Sequence, residues 1–173
     1  MNSDLNRFLL TLESGRVTRY HACPTVAPQT DAAHAWGVAL LCIYLTGGNA
    51  SAELVADALL HDSAEIVTGD IPYTTKRESP ELCVALTAIE DRAQREQLMP
   101  RYQLTETERA IEKLADTLEG WLWCRKTEHI NFIGRRWQVA LARALSRFKD
   151  CVPPEVLARV EALADSPSPI VED

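Results

Sequence analysis

Leu5, Phe8, Leu9 and Leu12 recur at spacings of three and four, which predicts an amphipathic helix capped by Ser3 or Asp4 and stopped by Gly15. "RVTRYHACPTVAPQTD" carries Pro24 and Pro28 and reads as an extended connection, with Thr30 or Asp31 as the next cap. From Asp31 to Thr46 the chain is apolar on nearly every side (Trp36, Val38, Leu40, Leu41, Ile43, Leu45), so this helix belongs in the middle of a bundle and ends at Gly47-Gly48. Ser51 caps another apolar helix reaching about Ala64. "YTTKRES" breaks the pattern and reads as irregular, and Pro80 opens a charge-rich helix to about Met99. Thr105 and Glu108 stand in the capping-box arrangement before a long helix with Ile111, Ala115, Leu118 and Leu122 on one stripe. Helices around Phe132 to Lys149 and Pro153 to Ala164 follow, and the polar, Pro-rich "DSPSPIVED" is expected to fray. Six or seven helices therefore form an all-α, single-domain helical bundle over residues 1–165, with a flexible tail at 166–173.

Composition supports that class and narrows the partners. A chain of 173 residues, 46% of them hydrophobic, can bury a full core without disulfide or metal staples, and the 6% aromatic content and sparse glycine disfavour a sandwich or barrel. A net charge of -7 argues against duplex nucleic acid, although a local cation cluster or a bound metal would still admit a small anion. Cys23, Cys42, Cys83, Cys124 and Cys151 are odd in number, widely spaced and without a CxxC pair, so reduced core thiols are expected. The longest apolar run, Ala32 to Leu45, contains His34 and is too short to span a bilayer, and the protein is expected to be soluble and cytoplasmic.

Candidate chemistry concentrates in "LLHDSAEIVTGDIP". Burying an imidazole without a partner costs roughly 1–3 kcal/mol, so His34 inside an apolar helix needs a hydrogen bond or a metal. His61 and Asp62 close the next apolar helix, and Asp116, off the main stripe of the long helix, can add a carboxylate from across the bundle. Two imidazoles with two carboxylates suit Mn²⁺, Fe²⁺, Co²⁺, Ni²⁺ or Zn²⁺ better than Ca²⁺, which wants more oxygens.

The pattern of a His, a His-Asp pair and a distant Asp, here His34, His61-Asp62 and Asp116, resembles the HD-domain metal-dependent phosphohydrolases. "TRYH", "QTDAAHAWGVALL", "LLHDSAEIVTGDIP" and "EKLADTLEGWLWC" resemble one branch of them, the small bacterial 5′-deoxynucleotidases and phage deoxynucleoside triphosphohydrolases, over about Arg19 to Lys126. The resemblance implies one divalent transition metal on those four residues, with Mg²⁺ accompanying the substrate phosphates. It makes Glu65 the acid/base residue and gives Asp70 contact with the sugar or the attacking water, the alternative for Asp70 being to cap the turn with Gly69 and Pro72. Arg19 and Lys76, with Arg77 and Lys126 nearby in the count of cations, would meet phosphate; Tyr20 and His21 would meet the base, and Ile71 and Pro72 the deoxyribose. Where the branch commonly carries Glu before the first histidine this chain has Ala33, so a carboxylate supporting that ligand is expected to be missing.

The function implied is hydrolysis of a 2′-deoxynucleotide between the 5′ oxygen and the α-phosphorus, leaning to a dNTP such as dATP with release of triphosphate. A 5′-deoxynucleotidase acting on dNMPs is the alternative, and an inactive nucleotide-binding regulatory module is the alternative of another class. Apolar residues on the helices bearing Trp121, Trp123 and Trp137 lead us to expect a homo-oligomer, a dimer or higher. The setting implied is the cytoplasm of a bacterium, or of a phage-infected host.

Overall fold

The computed structural model describes residues 3–129 and 132–167. Nine helices occur among them: α1 (Ser3–Ser14), α2 (Asp31–Leu45), α3 (Ala52–Leu60), α4 (Glu65–Thr68), α5 (Tyr73–Glu78), α6 (Pro80–Glu96), α7 (Glu106–Thr127), α8 (Ile133–Phe148) and α9 (Pro154–Asp165). A two-residue ribbon, β1 (Thr18–Arg19) with β2 (Gln29–Thr30), joins α1 to α2. Residues beyond 167, most of the predicted tail, lie outside the described part.

Local chemistry starts the central helices where their caps predict. The Thr30 side chain accepts the Ala33 amide, Ser51 accepts that of Leu54, and Thr105 with Glu108 closes a complete capping box at α7. Helix α2 packs on α3 and α7, and α7 packs on α8 and α9. Val38, Cys42 and Leu45 of α2, Leu54 of α3, Leu114 and Leu118 of α7 and Val160 of α9 form the sealed core. Dense packing there holds the helix backbones rigidly, which fixes the polar side chains at the core's edge.

Several expectations change. Helix α3 ends at Leu60, short of Ala64, because the Ser63 hydroxyl donates to the Leu60 carbonyl (2.7 Å) and the chain turns before α4. "YTTKRES" is not irregular: Tyr73–Glu78 forms α5, begun by the Thr75 and Lys76 amides donating to the Pro72 carbonyl. Helix α2, expected in the middle of the bundle, is not buried all round: Trp36, Leu40, Ile43 and Tyr44 are exposed, as is the apolar stripe of α1, Leu5, Phe8, Leu9 and Leu12. On the helices bearing the tryptophans, Trp121, Trp123 and Trp137 are half-buried and Val139 is exposed: Trp121 Nε1 donates to the Ala164 carbonyl, Trp123 Nε1 to the Ala27 carbonyl, and Trp137 covers Gly120. All five cysteines are free thiols, and among the described residues no helix is long and apolar enough to cross a membrane.

The ribbon is short but consequential. Arg19 faces Gln29 across it, and the Asp31 amide donates to the Val17 carbonyl (2.9 Å), so the strand runs directly into α2. Arg19, Gln29 and Asp31 are thereby delivered beside His34.

Candidate functional site

His34 comes from the first half of α2, His61 from the C-cap just after α3, Asp62 from the turn that follows, and Asp116 from the middle of α7. Packing of α2 against both α3 and α7 brings the four together. His34 Nε2 lies 3.2 Å from Asp116 Oδ1 and 3.7 Å from Asp62 Oδ2. His61 Nε2 lies 3.2 Å from Asp62 Oδ2 and 3.9 Å from Asp116 Oδ1. Donors held at about 2.1 Å from one tetrahedral ion stand about 3.4 Å apart, so these spacings suit a single divalent cation.

Ring orientation supports the same conclusion. His34 Nδ1 is 2.5 Å from Glu119 Oε2, and His61 Nδ1 is 2.8 Å from the Ala58 carbonyl. Each acceptor takes the Nδ1 proton and leaves the Nε2 lone pair turned into the shared space. Both Nε2 atoms are buried, and neither makes a hydrogen bond. An orphaned pair of imidazole nitrogens flanked by carboxylate oxygens is the arrangement a metal ion would satisfy.

The electrostatics describe a pocket that holds positive charge. Burial works against a charged imidazole at His34, but the adjoining carboxylates of Asp116 and Glu119 raise it to about 9. Burial likewise opposes His61, and Asp62 wins, raising it. Asp62 and Asp116 are held well below the usual carboxylate range, against the effect of burial, by the two histidines, with Arg19 also acting on Asp62. The groups that bind protons so firmly are those that would bind a cation once the protons leave.

A second cluster adjoins the first. Asp31, Asp62 and Glu65 each offer an oxygen within 4.8 Å of the others. Asp31 is buried with neither oxygen hydrogen-bonded, and Glu65 Oε2 is likewise without a partner. Burial, then the charge of Asp62, pushes Asp31 to about 7 and Glu65 to about 8. Both carboxyls thus hold their protons to higher pH than an ordinary carboxyl does.

Around these clusters stand the other residues singled out from the sequence. Arg19 is buried and donates to Asp62 Oδ2 at 2.8 Å, which keeps it protonated despite burial. Lys76 Nζ is 3.3 Å from Glu65 Oε1. Asp70 Oδ2 accepts the Tyr20 amide (3.3 Å), and Tyr20 sits at φ 59, a left-handed backbone that a tyrosine rarely adopts without such support. Gly69, at φ 71, ends α4 and turns Asp70 to that contact; Ile71 and Pro72 follow, half-buried. His21 is exposed, and its Nδ1 lies against the Thr18 carbonyl of its own turn, so it is not gathered into the cluster. Arg77 is exposed and pairs with Glu78. Lys126 is exposed ten residues after Asp116, about 15 Å farther along the helix axis.

Four residues escaped the sequence reading. Glu119 supplies the carboxylate expected to be missing at Ala33: it orients His34 and accepts Gln29 Nε2 at 2.7 Å, while Ala33 is exposed. Its signal was an acid three residues after Asp116, on the same helix face. Gly37 admits it, since a Cβ there would stand 2.8 Å from Glu119 Cγ. Asp31, three residues before His34, carried the same signal, and Gln29 carried none. Lys113, one turn before Asp116, brings its Nζ to 3.8 Å from Asp116 Oδ2 and is the cation of α7 nearest the cluster in place of Lys126.

Comparison with known proteins agrees with this geometry. A dATP triphosphohydrolase of Cyanophage S-2L is 33% identical over 129 residues, 70% of this chain and 66% of the phage protein. The 5'-deoxynucleotidase plu3092 of Photorhabdus laumondii subsp. laumondii is 31% identical over 112 residues, 56% of each chain. The chain thus spans about two thirds or less of the length of these curated relatives. A solved structure described as the Cyanophage S-2L HD phosphohydrolase (DatZ) bound to dA and one catalytic Zn²⁺ ion superposes with a TM-score of 0.69 at 27% identity, covering 88% of this chain and 91% of that one. The all-α bundle is therefore of the HD type. With the model described as "5'-deoxynucleotidase YfbR-like" matching residues 8–166, the chain belongs to the YfbR-like 5'-deoxynucleotidase family.

Proposed function

We propose that the protein is a metal-dependent phosphohydrolase that cleaves 2′-deoxynucleotides between the 5′ oxygen and the α-phosphorus, with a dNTP such as dATP as substrate and triphosphate as product. The observation that carries the reading is the convergence of two orphaned histidine nitrogens with Asp62 and Asp116 at single-ion spacing. The phage relative named dATP triphosphohydrolase and the neighbour holding dA and Zn²⁺ support the substrate class.

His34, His61, Asp62 and Asp116 would hold one divalent ion, Zn²⁺, Co²⁺, Mn²⁺, Fe²⁺ or Ni²⁺, whose chemistry is to polarise a phosphoryl oxygen and acidify water. Glu65 Oε2, buried and unpartnered, takes the proton of the attacking water and returns it to the departing 5′ oxygen. Arg19, Lys76 and Lys113 ring the carboxylates and neutralise the phosphates. Asp70 holds the Tyr20 backbone and reaches the sugar or the water with its other oxygen, with Tyr20 against the base and Ile71 and Pro72 against the deoxyribose.

The second reading, a dNMP 5′-deoxynucleotidase, is favoured by the family model and the Photorhabdus relative. Three cations around the cluster favour the triphosphate. An inactive regulatory module would have no physical use for two buried acids poised near neutrality, Asp31 and Glu65.

Incubating the protein and Co²⁺ or Mn²⁺ with dATP, dAMP and ATP, followed by chromatography of the products, decides among these. Triphosphate and deoxyadenosine from dATP are expected; phosphate from dAMP alone would establish the second reading, and no product from any nucleotide would overturn both. The outward apolar faces of α1 and α2 would be covered by a second copy of the chain, so light scattering should give a dimer or higher and a monomer would refute it. Cytoplasmic deoxynucleotide pools, bacterial or in a phage-infected host, are the setting this substrate requires.

A further inference from the structure

Between the ligand-bearing helices lies a charged cluster to which the proposed mechanism assigns no role. Asp57 of α3 and Glu112 of α7 are each 1% exposed, and between them lies the guanidinium of Arg101, from the segment joining α6 to α7. Arg101 Nε donates to Asp57 Oδ1 (3.0 Å) and Nη2 to Asp57 Oδ2, a bidentate grip. The same Nη2 donates to Glu112 Oε1 at 2.9 Å, and Nη1 reaches the backbone carbonyl of His61 at 3.3 Å. The Tyr102 amide adds a bond to Asp57 Oδ1 at 2.8 Å, tying the segment itself to α3.

The register of these acids is the informative feature. Asp57 lies one helical turn before His61, and Glu112 one helical turn before Asp116, so each acid stacks directly under a proposed ligand on the same helix face. The bridge therefore joins α3 and α7 one turn below the point where their ligands converge, and its third contact holds the His61 carbonyl itself.

We propose that Arg101 is a positioning residue for the metal site: by clamping Asp57 to Glu112 it sets the distance and register between the helices that carry His61 and Asp116. The clamp rests on the metal-site reading given above. A buried ion pair of this kind contributes little net stability over an apolar substitute but specifies one geometry, which is what ligands on two separate helices require. Without the guanidinium, the two buried carboxyls would be left to share a proton, and the fork that fixes the register of α3 against α7 and holds the His61 carbonyl would be lost.

The test compares wild type, R101Q, R101K and a core variant far from the site, V160A, each stripped of metal. Co²⁺ affinity is read by chelator competition, ligand geometry by the Co²⁺ visible spectrum, and folding by thermal melting. R101Q is expected to bind Co²⁺ about 10–100-fold more weakly with an altered spectrum, as loss of a group that orients ligands does elsewhere. R101K, which keeps the charge but not the fork, should fall between, while V160A melts lower yet keeps wild-type affinity and spectrum. A folded R101Q with wild-type affinity and spectrum would overturn the clamp, as would an equal loss of affinity in V160A. If R101Q does not fold, R101K carries the test, and wild-type affinity and spectrum there overturn the clamp. Wild type that binds no Co²⁺ removes the metal-site reading and the clamp with it, an outcome distinct from variants that merely match a metal-binding wild type.

Discussion

Glu119 joins two functions in one buried carboxylate: Oε2 takes the His34 Nδ1 proton at 2.5 Å, and Oε1 accepts Gln29 Nε2 at 2.7 Å. His34 is raised from 6.5 to about 9, burial opposing and the carboxylates of Asp116 and Glu119 prevailing. At about 1.4 kcal/mol per unit, that shift of 9 minus 6.5 corresponds to about 3 kcal/mol of favourable interaction with positive charge at the ring. Glu119 supplies part of that attraction and also fixes the ring's orientation, and loss of such an orienting group costs about 10–100-fold in metal affinity, of which the conservative Gln replacement should show about tenfold. Glu119→Gln removes the charge while retaining an oxygen for one neighbour, whereas Glu119→Ala also leaves the Gln29 amide and His34 Nδ1 buried without partners, at about 1–3 kcal/mol each. The expected result for Glu119→Gln is a folded protein binding Zn²⁺ or Co²⁺ about tenfold more weakly in a competition titration. Glu119→Ala should also melt several degrees lower. A folded Glu119→Gln protein with wild-type metal affinity would refute the assignment.

The remaining predictions concern proton transfer and packing. Burial, then Asp62, raises the Glu65 carboxyl from 4.5 to about 8, so its contribution to stability is complete below pH 4.5 and is lost as pH rises through 8. The melting temperature of metal-free Glu65→Gln, measured from pH 4.5 to 8, should therefore rise steadily relative to wild type; a constant difference would contradict the shift. In the metal-loaded enzyme the same variant should lose about 10²–10⁴-fold in kcat, and retention of full kcat would exclude Glu65 from proton transfer. A Cβ at Gly120 would stand 2.5 Å from Trp137 Cη2, and overpacking of about 1–3 kcal/mol exceeds the helix-propensity gain of alanine. Gly120→Ala should melt about 2–8 °C below wild type, and an unchanged or higher melting point would mean that α8 moves aside freely.

Legibility in the sequence divides along physical lines. Local chemistry was readable: the caps at Thr30, Ser51 and Thr105 depend on bonds spanning three residues, and they start α2, α3 and α7 where the sequence places them. His34, His61, Asp62 and Asp116 were visible because a polar group on or beside an apolar helix face is conspicuous, and the structure brings all four together. Amphipathicity showed that α1 has an apolar side but not what that side meets, and it faces outward. The end of α3 was missed because the Ser63 hydroxyl competes for a helix carbonyl, a choice made by tertiary context. Glu119 with Gln29, and Arg101 with Asp57, were hidden because partners tens of residues apart in sequence leave no periodic trace. The expectation from Ala33 failed for the same reason: α7, distant in sequence, supplies the carboxylate that α2 lacks.

The most direct test is a crystal of the Co²⁺- or Zn²⁺-loaded protein, with anomalous scattering locating the metal. The account predicts one strong site bonded to His34 Nε2, His61 Nε2, Asp62 and Asp116 at about 2.0–2.2 Å, with Glu119 and the Ala58 carbonyl still on the two Nδ1 atoms. An ion held by other residues, or no ion among these four at saturating metal, would contradict it.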